Sequence, residues 1–402
     1  FWAESSFGDS SPHYNAQLRL IAQGDFMSPE STSSDPTLYY IDVISSQWRG
    51  GAVASCSDVW QSFPEVGGPP PWLTTPDDPE GLYSESSLYY LAGMLIANGH
   101  VDASSCPDGG LESELTASIC GLQQAIDEVV IWQNQFDQDI VQAARDTGVP
   151  AQLLKNVFSR ESQFWPGIYA SVREAGLGQL TELGADAVLL WNPEFFTQFC
   201  PLVLSEETCQ RGFGNLDEAQ QAMLRGALVQ KVNASCPDCP VGIDLTQANF
   251  SISVFARGLL ANCEQVNQII YNATGRSAGQ LSTYEDLWKF TLLNYNAGSG
   301  CLSRAIRQAV TNQQPLTWAN VLQYLEPVCQ AGIAYVDDIS NMPVSGEPGV
   351  GSLLATPNPE VVLTTPTPVS TLRSTITPTS IYPSPTPPGY PVITSTPLPD
   401  YP

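Results

Sequence analysis

Basic residues are scarce in this 402-residue chain: 15 Lys and Arg stand against 41 Asp and Glu, for a net charge of −26. Only Lys155, Lys231 and Lys289 are lysines. Nucleic acid and anionic lipid are bound through clustered Lys and Arg, so this balance excludes both as partners. Long apolar runs are missing too. No stretch reaches the roughly 18 apolar residues of a membrane span, so none is expected. Histidine is limited to His13 and His100, too few for a mixed Cys/His site, and no metal or cofactor is expected. Cys236-Pro-Asp-Cys239 is a C-x-x-C, but a zinc ribbon needs a second such pair. A thioredoxin-like redox pair lacks its βαβ setting.

Cysteine itself is not scarce. Cys56, Cys106, Cys120, Cys200, Cys209, Cys236, Cys239, Cys263, Cys301 and Cys329 are even in number. They read as structural disulfides formed in an oxidising compartment, with the pairing left open. The chain starts at Phe1 rather than Met. This fits a secreted protein whose signal peptide has been removed, and a trimmed chain reads equally well. An extracellular or cell-envelope location is expected.

Composition divides the chain in three. Residues 343–402 hold 15 of the 33 prolines and 18 Ser or Thr, with Arg373 as the one basic residue. Such a segment packs no core. It is expected to be extended, a Pro/Thr/Ser-rich stalk open to O-glycosylation. Residues 1–110 are rich in Ser, Pro, Gly and aromatics, with short helices expected over QLRLIAQ and SSLYYLAGMLIANG. Their role is not legible. Residues 111–342 carry helical signals. ELTASICGLQQAIDEVVIWQNQFDQDIVQAARDTG repeats apolar residues every three or four positions and closes on Gly148. VPAQLLKNVFSRESQFWPG opens at Pro150 and is expected to stop before Pro166-Gly167. STYEDLWKFTLLNYNAG is expected to open on a Ser282/Glu285 capping box and end at Gly298. The fold class is mainly α.

Four patterns follow one another within the helical part. Glu161-Ser162-Gln163-Phe164 closes a helix. Gly176-Leu177-Gly178-Gln179-Leu180 comes soon after. Asn294-Tyr295-Asn296-Ala297-Gly298 is third, and Glu326 with Tyr335 is last. In this order the motifs resemble the soluble-type lytic transglycosylases, which carry E-S-x-F, G-L-x-Q, Y-N-A-G and then a tyrosine. QANFSISVFARGLL, residues 247–260, is similar to the family's helix before Y-N-A-G. The resemblance covers residues 135–342 and implies a lysozyme-like helical catalytic domain over 111–342. It also implies cleavage of the MurNAc–GlcNAc bond of peptidoglycan strands, with 1,6-anhydro-MurNAc ends as product.

The residues suit that chemistry. Glycosidic cleavage needs a carboxylic acid to protonate the leaving oxygen, and near neutral pH only a raised pKa keeps it protonated. Phe158, Phe164 and Trp165 are candidates for the apolar surroundings of Glu161. By resemblance Glu161 is the acid and then the base, with Ser162, Gln179, Tyr295, Asn296 and Tyr335 around the substrate. Read singly, each has a plainer role: a surface charge, a helix-end hydrogen bond, a loop amide, a core tyrosine. Glu174 and Asp286 are read as surface charges rather than second carboxylates. Three features depart from the family. Gly178 stands where many members have Met. Cys200, Cys209, Cys236 and Cys239 mark a disulfide-pinned insertion over about 181–245. Cys329 lengthens the path from Glu326 to Tyr335. Asn233, Asn249 and Asn272 lie in N-x-S/T sequons, acceptors only where the cell glycosylates them.

A second reading keeps the domain and drops the enzyme. The acidic balance and the stalk also fit an extracellular filament or surface-layer protein, self-associating through the tail and the N-terminal region.

Overall fold

The computed structural model describes residues 16–22 and 39–46 as backbone, and residues 55–113, 115–168 and 174–342 in full. The stalk expected over 343–402, the self-association expected through it, and most of 1–54 lie outside the described residues.

Strands β1 (Ala16–Ala22) and β2 (Tyr39–Ser46) pair antiparallel, with Leu20 opposite Ile41. This corrects the helix expected over QLRLIAQ. Leu18 and Leu20 alternate with Gln17 and Arg19, a period of two, and the partner strand is rich in β-prone Tyr, Ile and Val. SSLYYLAGMLIANG does form a helix, α2 (Tyr89–Ala97), after the short α1 (Cys56–Trp60).

Beyond a small ribbon of β3 (Leu111–Ser113) and β4 (Thr116–Ala117), the described chain is helical. α3 (Ile119–Asn134), α4 (Asp137–Thr147) and α5 (Ala151–Ser162) follow. The segment expected as an insertion holds α6 (Glu182–Trp191), α7 (Pro193–Phe199), α8 (Glu206–Cys209) and α9 (Glu218–Val232). Then come α10 (Leu245–Thr274), α11 (Tyr284–Ala297), α12 (Ser299–Thr311), α13 (Trp318–Val321) and α14 (Ala331–Ser340). Gly148 ends α4 at φ 73°, left-handed as a glycine stop allows. α11 is capped one residue later than expected. Thr283, not Ser282, accepts from the Asp286 amide, and the Asp286 carboxylate answers the Thr283 hydroxyl at 2.8 Å. Asp286 also accepts from the Trp318 amide at 2.8 Å.

The 30-residue α10 is the axis of the body. Buried residues such as Ile252, Val254, Phe255 and Leu259 occupy several of its faces, the pattern of a helix surrounded by others. α1, α4, α6, α9, α11 and α12 all pack on it. All ten cysteines are paired: Cys56–Cys263, Cys106–Cys120, Cys200–Cys209, Cys236–Cys239 and Cys301–Cys329. Cys56–Cys263 ties α1 to the middle of α10. Beside it Trp60 Nε1 donates to the Cys263 carbonyl at 2.9 Å, and the indole meets Trp288 edge-on at 5.1 Å. Residues 55–110 therefore share the core of the helical body. Among the described residues, no helix is long and apolar enough to cross a membrane.

Candidate active site

α5 delivers Glu161 in its last turn. The helix ends earlier than Pro166-Gly167 would require, because Gln163 (φ 48°) and Phe164 (φ 61°) both take left-handed backbone. Two consecutive non-glycine residues in that region are strained, and such strain persists only where the surroundings impose it. Those surroundings are visible. Gln163 Oε1 accepts from the Tyr90 amide at 2.9 Å, and the Trp165 amide returns to the Ser162 carbonyl at 2.9 Å. Trp132 Nε1 donates to the Phe164 carbonyl at 2.9 Å.

The Glu161 carboxyl is half-buried, and Oε1 accepts from the Tyr335 hydroxyl at 2.6 Å across the 174 residues that separate them. Burial pushes this carboxyl up to about 7. The Tyr335 hydrogen bond and Arg160 oppose the rise, and the charge of Glu174 adds to it. The Tyr335 phenol is held well above its usual range, first by burial and then by Glu161, so it remains a donor. Tyr295 is raised in the same way, by burial and then by Glu161 and Glu174. Arg160 lies over the Tyr335 ring at 5.9 Å and pairs with Asp338 at 2.9 Å, anchoring α14 to α5. Cys301–Cys329 joins α12 to the turn before α14, and Arg304 pairs with Glu326 across the same junction at 3.0 Å. The lengthened segment is thus stapled, and it still delivers Tyr335 to Glu161.

The Gly176–Leu180 segment forms a tight loop closed by a bridge between Ala175 and Leu180. Ser162 Oγ donates to the Leu177 carbonyl at 2.7 Å, and Tyr295 donates to the Gly178 carbonyl at 2.7 Å. The loop is therefore clamped to the end of α5 on one side and to α11 on the other. Ser162 is fully buried and its hydroxyl is committed to this clamp. Gln179, at φ 54°, folds its amide back onto the Gly176 carbonyl at 2.8 Å. Its buried Oε1 has no partner among the described residues, which leaves an acceptor open. Gly178 is required by space: a Cβ there would fall 2.4 Å from the Phe255 ring. Phe255 fills the position that a longer side chain at 178 would need.

Other residues fall elsewhere. Asn296 is exposed, with Oδ1 beside Gly332 of α14 rather than on the carboxyl. The aromatics expected to wall Glu161 mostly do not. Trp165 stacks on Trp132 of α3 at 5.8 Å, and Phe164 lies 6.0 Å below the Lys155 ammonium, both rings fully buried. Phe158 packs edge-on against Phe255 at 6.0 Å. Tyr335 and Tyr295 crowd the acid instead. Asp286 is a cap, as described above. Glu174 is half-buried, its carboxyl is raised by burial, and Glu161 feels its charge, so the reading as a plain surface charge is replaced. Its place two residues before the Gly176–Leu180 motif was the available signal. Among the described residues no cluster of His, Cys, Asp and Glu is arranged to hold a metal.

No protein-family model matches this chain, and no curated protein matches it either.

Proposed function

We propose that this protein is an exported peptidoglycan lytic transglycosylase with a lysozyme-like helical domain and Glu161 as its acid and base. The observation that carries the reading is the Tyr335–Glu161 hydrogen bond at 2.6 Å on a carboxyl raised to about 7. An ordinary surface glutamate is ionised at neutral pH and cannot donate a proton. Glu161 is protonated over a useful fraction of that range.

In the first step Glu161 gives its proton to the glycosidic oxygen, and the bond from that oxygen to C1 of MurNAc breaks. Tyr335 stays protonated and stabilises the carboxylate left behind. In the second step the C6 hydroxyl of the same sugar attacks C1, and its proton passes to Glu161. The acid is restored, water is not consumed, and the product carries a 1,6-anhydro ring. Five disulfides fit an oxidising compartment, which supports export to the cell envelope.

The test is digestion of purified sacculi followed by mass analysis of the released fragments. Anhydro ends, one water lighter than hydrolytic ends, are expected from the wild type. Glu161→Gln is expected to lose about 100- to 10,000-fold in rate. An absence of anhydro products, or full activity in Glu161→Gln, would overturn the reading.

A further inference from the structure

A second site lies apart from Glu161. A cavity of about 540 Å³ opens between α7, α9 and α10, in the disulfide-pinned insertion. That volume falls within the roughly 300–1,000 Å³ of small-molecule pockets. Phe195, Phe199, Leu202 and Phe250 supply much of its wall, with Gln198 and Lys231 as the polar groups. Phe195 and Phe199 are buried and stack in parallel at 5.6 Å. Leu202 is 78 % exposed, a large apolar side chain held in water beside the opening. Cys200–Cys209 fixes the turn that presents it.

The charge at this cavity runs against the charge of the whole. None of its eight lining residues is acidic, in a chain with 41 acids. Lys155 and Lys289 pair with Asp137 and Glu285. Lys231, the third lysine, has no acid partner among the described residues. It is exposed yet lines the cavity, so its methylenes cover apolar wall while its ammonium stays at the mouth. Arg257, outside the lining, lies over the Phe195 ring at 5.6 Å from its centroid. A protein of net charge −26 repels anions in general. An apolar hollow with an unpaired cation at its mouth is a local exception suited to one ligand shape.

We propose that this cavity binds a monomeric single-chain amphiphile with a carboxylate head, its tail against Phe199, Leu202 and Phe250 and its head at Lys231. The site does not depend on Glu161, so it stands or falls separately from the transglycosylase reading.

The experiment titrates the full chain calorimetrically with octanoate, decanoate and dodecanoate, each below its micelle threshold. One-to-one saturable binding is expected, tightening about fourfold per added methylene. Lys231→Met, which removes the charge and keeps an unbranched apolar stem, should weaken the carboxylates about two- to fivefold and leave alkyl alcohols of equal length unchanged. Ala227→Trp, which fills the cavity, should abolish both. Phe250→Ala serves as a second variant should Ala227→Trp fail to fold, and it should weaken the longest chain most. Binding only of micelles or lipid vesicles would overturn the proposal. So would an affinity independent of chain length, or an equal effect of Lys231→Met on acid and alcohol.

Discussion

Lys155 and Glu161 sit on the same helix, six residues apart, and their charges are treated in opposite ways. Lys155 is 2 % exposed, and every direction from its ammonium meets an acceptor. Asp137 lies at 2.7 and 2.9 Å, Asn134 Oδ1 at 2.7 Å, and the Leu82 carbonyl completes the set. Burial pushes the Asp137 carboxyl up and the Lys155 ammonium down, and each is pulled back by the other. Glu161 has a phenol, no direct cation partner among the described residues, and a second carboxylate, Glu174, near enough to be felt. A buried charge that is fully answered holds the helix in place. Burial shifts both sites, leaving Asp137 raised to about 6, Lys155 lowered to about 8 and Glu161 raised to about 7, but of the three only the Glu161 carboxyl lacks a full set of partners among the described residues and stays available for chemistry.

The largest test of this contrast is Lys155→Met. It leaves Asp137 buried without a counter-charge, and such losses cost about 3–5 kcal/mol. Urea unfolding should show a drop of that size, and adding Asp137→Asn should recover part of it. A loss below about 1 kcal/mol would mean that the pair is as weak as a surface ion pair, and the contrast would fail.

Glu161 predicts the reverse sign. Its carboxyl is raised to about 7 from an ordinary value of 4.5, so the folded state holds a proton that the unfolded state has released. The stability linked to that proton is fully present below about pH 4.5 and is lost as pH rises through about 7. Glu161→Gln removes the titration. At pH 8 it should therefore be more stable than wild type by about 1–3 kcal/mol, with little difference at pH 4. Unfolding curves at the two pH values check this, and a stability gain that is equal at both would break the argument.

How far these two roles were legible in the sequence follows from distance along the chain. Helical periodicity and the Gly148 stop placed the end of α4 but not the break at residues 135–136 that separates it from α3, and the position of Glu161 at a helix end was readable because a local pattern marks it. Lys155 was not readable as a core charge, since its partners lie 18, 21 and 73 residues away. Tyr335 was reachable only through the order of motifs, because no local rule links residues 174 apart. The left-handed Gln163 and Phe164 were missed for a different reason. Neither residue type favours that backbone, and contacts with Tyr90 and Trp132 impose it. The β1 strand was missed by choosing the wrong period for a short apolar run, where helix and strand patterns overlap.

Tyr335→Phe sharpens the contrast by removing the one hydrogen-bond donor shown on Glu161. The stability cost should be about 1 kcal/mol, since a single hydrogen bond is lost and the ring remains. The pH profile is the more telling readout. The Tyr335 hydrogen bond holds the carboxyl down, so its loss should raise the Glu161 pKa further. The alkaline limb of kcat/KM should move to higher pH. A limb that stays in place would mean that the phenol does not touch the ionised form during turnover.

Glu174→Gln is the smallest expected effect and the finest test. Glu174 contributes the least of the influences on Glu161, and it acts through charge alone, with Gln matching its shape. Removing a like charge eases ionisation, so the Glu161 pKa should fall and the alkaline limb should move toward acid pH, opposite to Tyr335→Phe. Folding stability at neutral pH should rise by no more than about 0.5 kcal/mol, because burial raises this half-buried carboxyl only against solvent screening. The pair of variants therefore brackets the wild type from both sides. If Glu174 instead took part in bond cleavage as a second carboxylate, Glu174→Gln would lower kcat across the whole pH range and leave the limb where it was. In that case products with hydrolytic ends would replace the anhydro ends, because a base positioned on water makes the sugar's own C6 hydroxyl unnecessary.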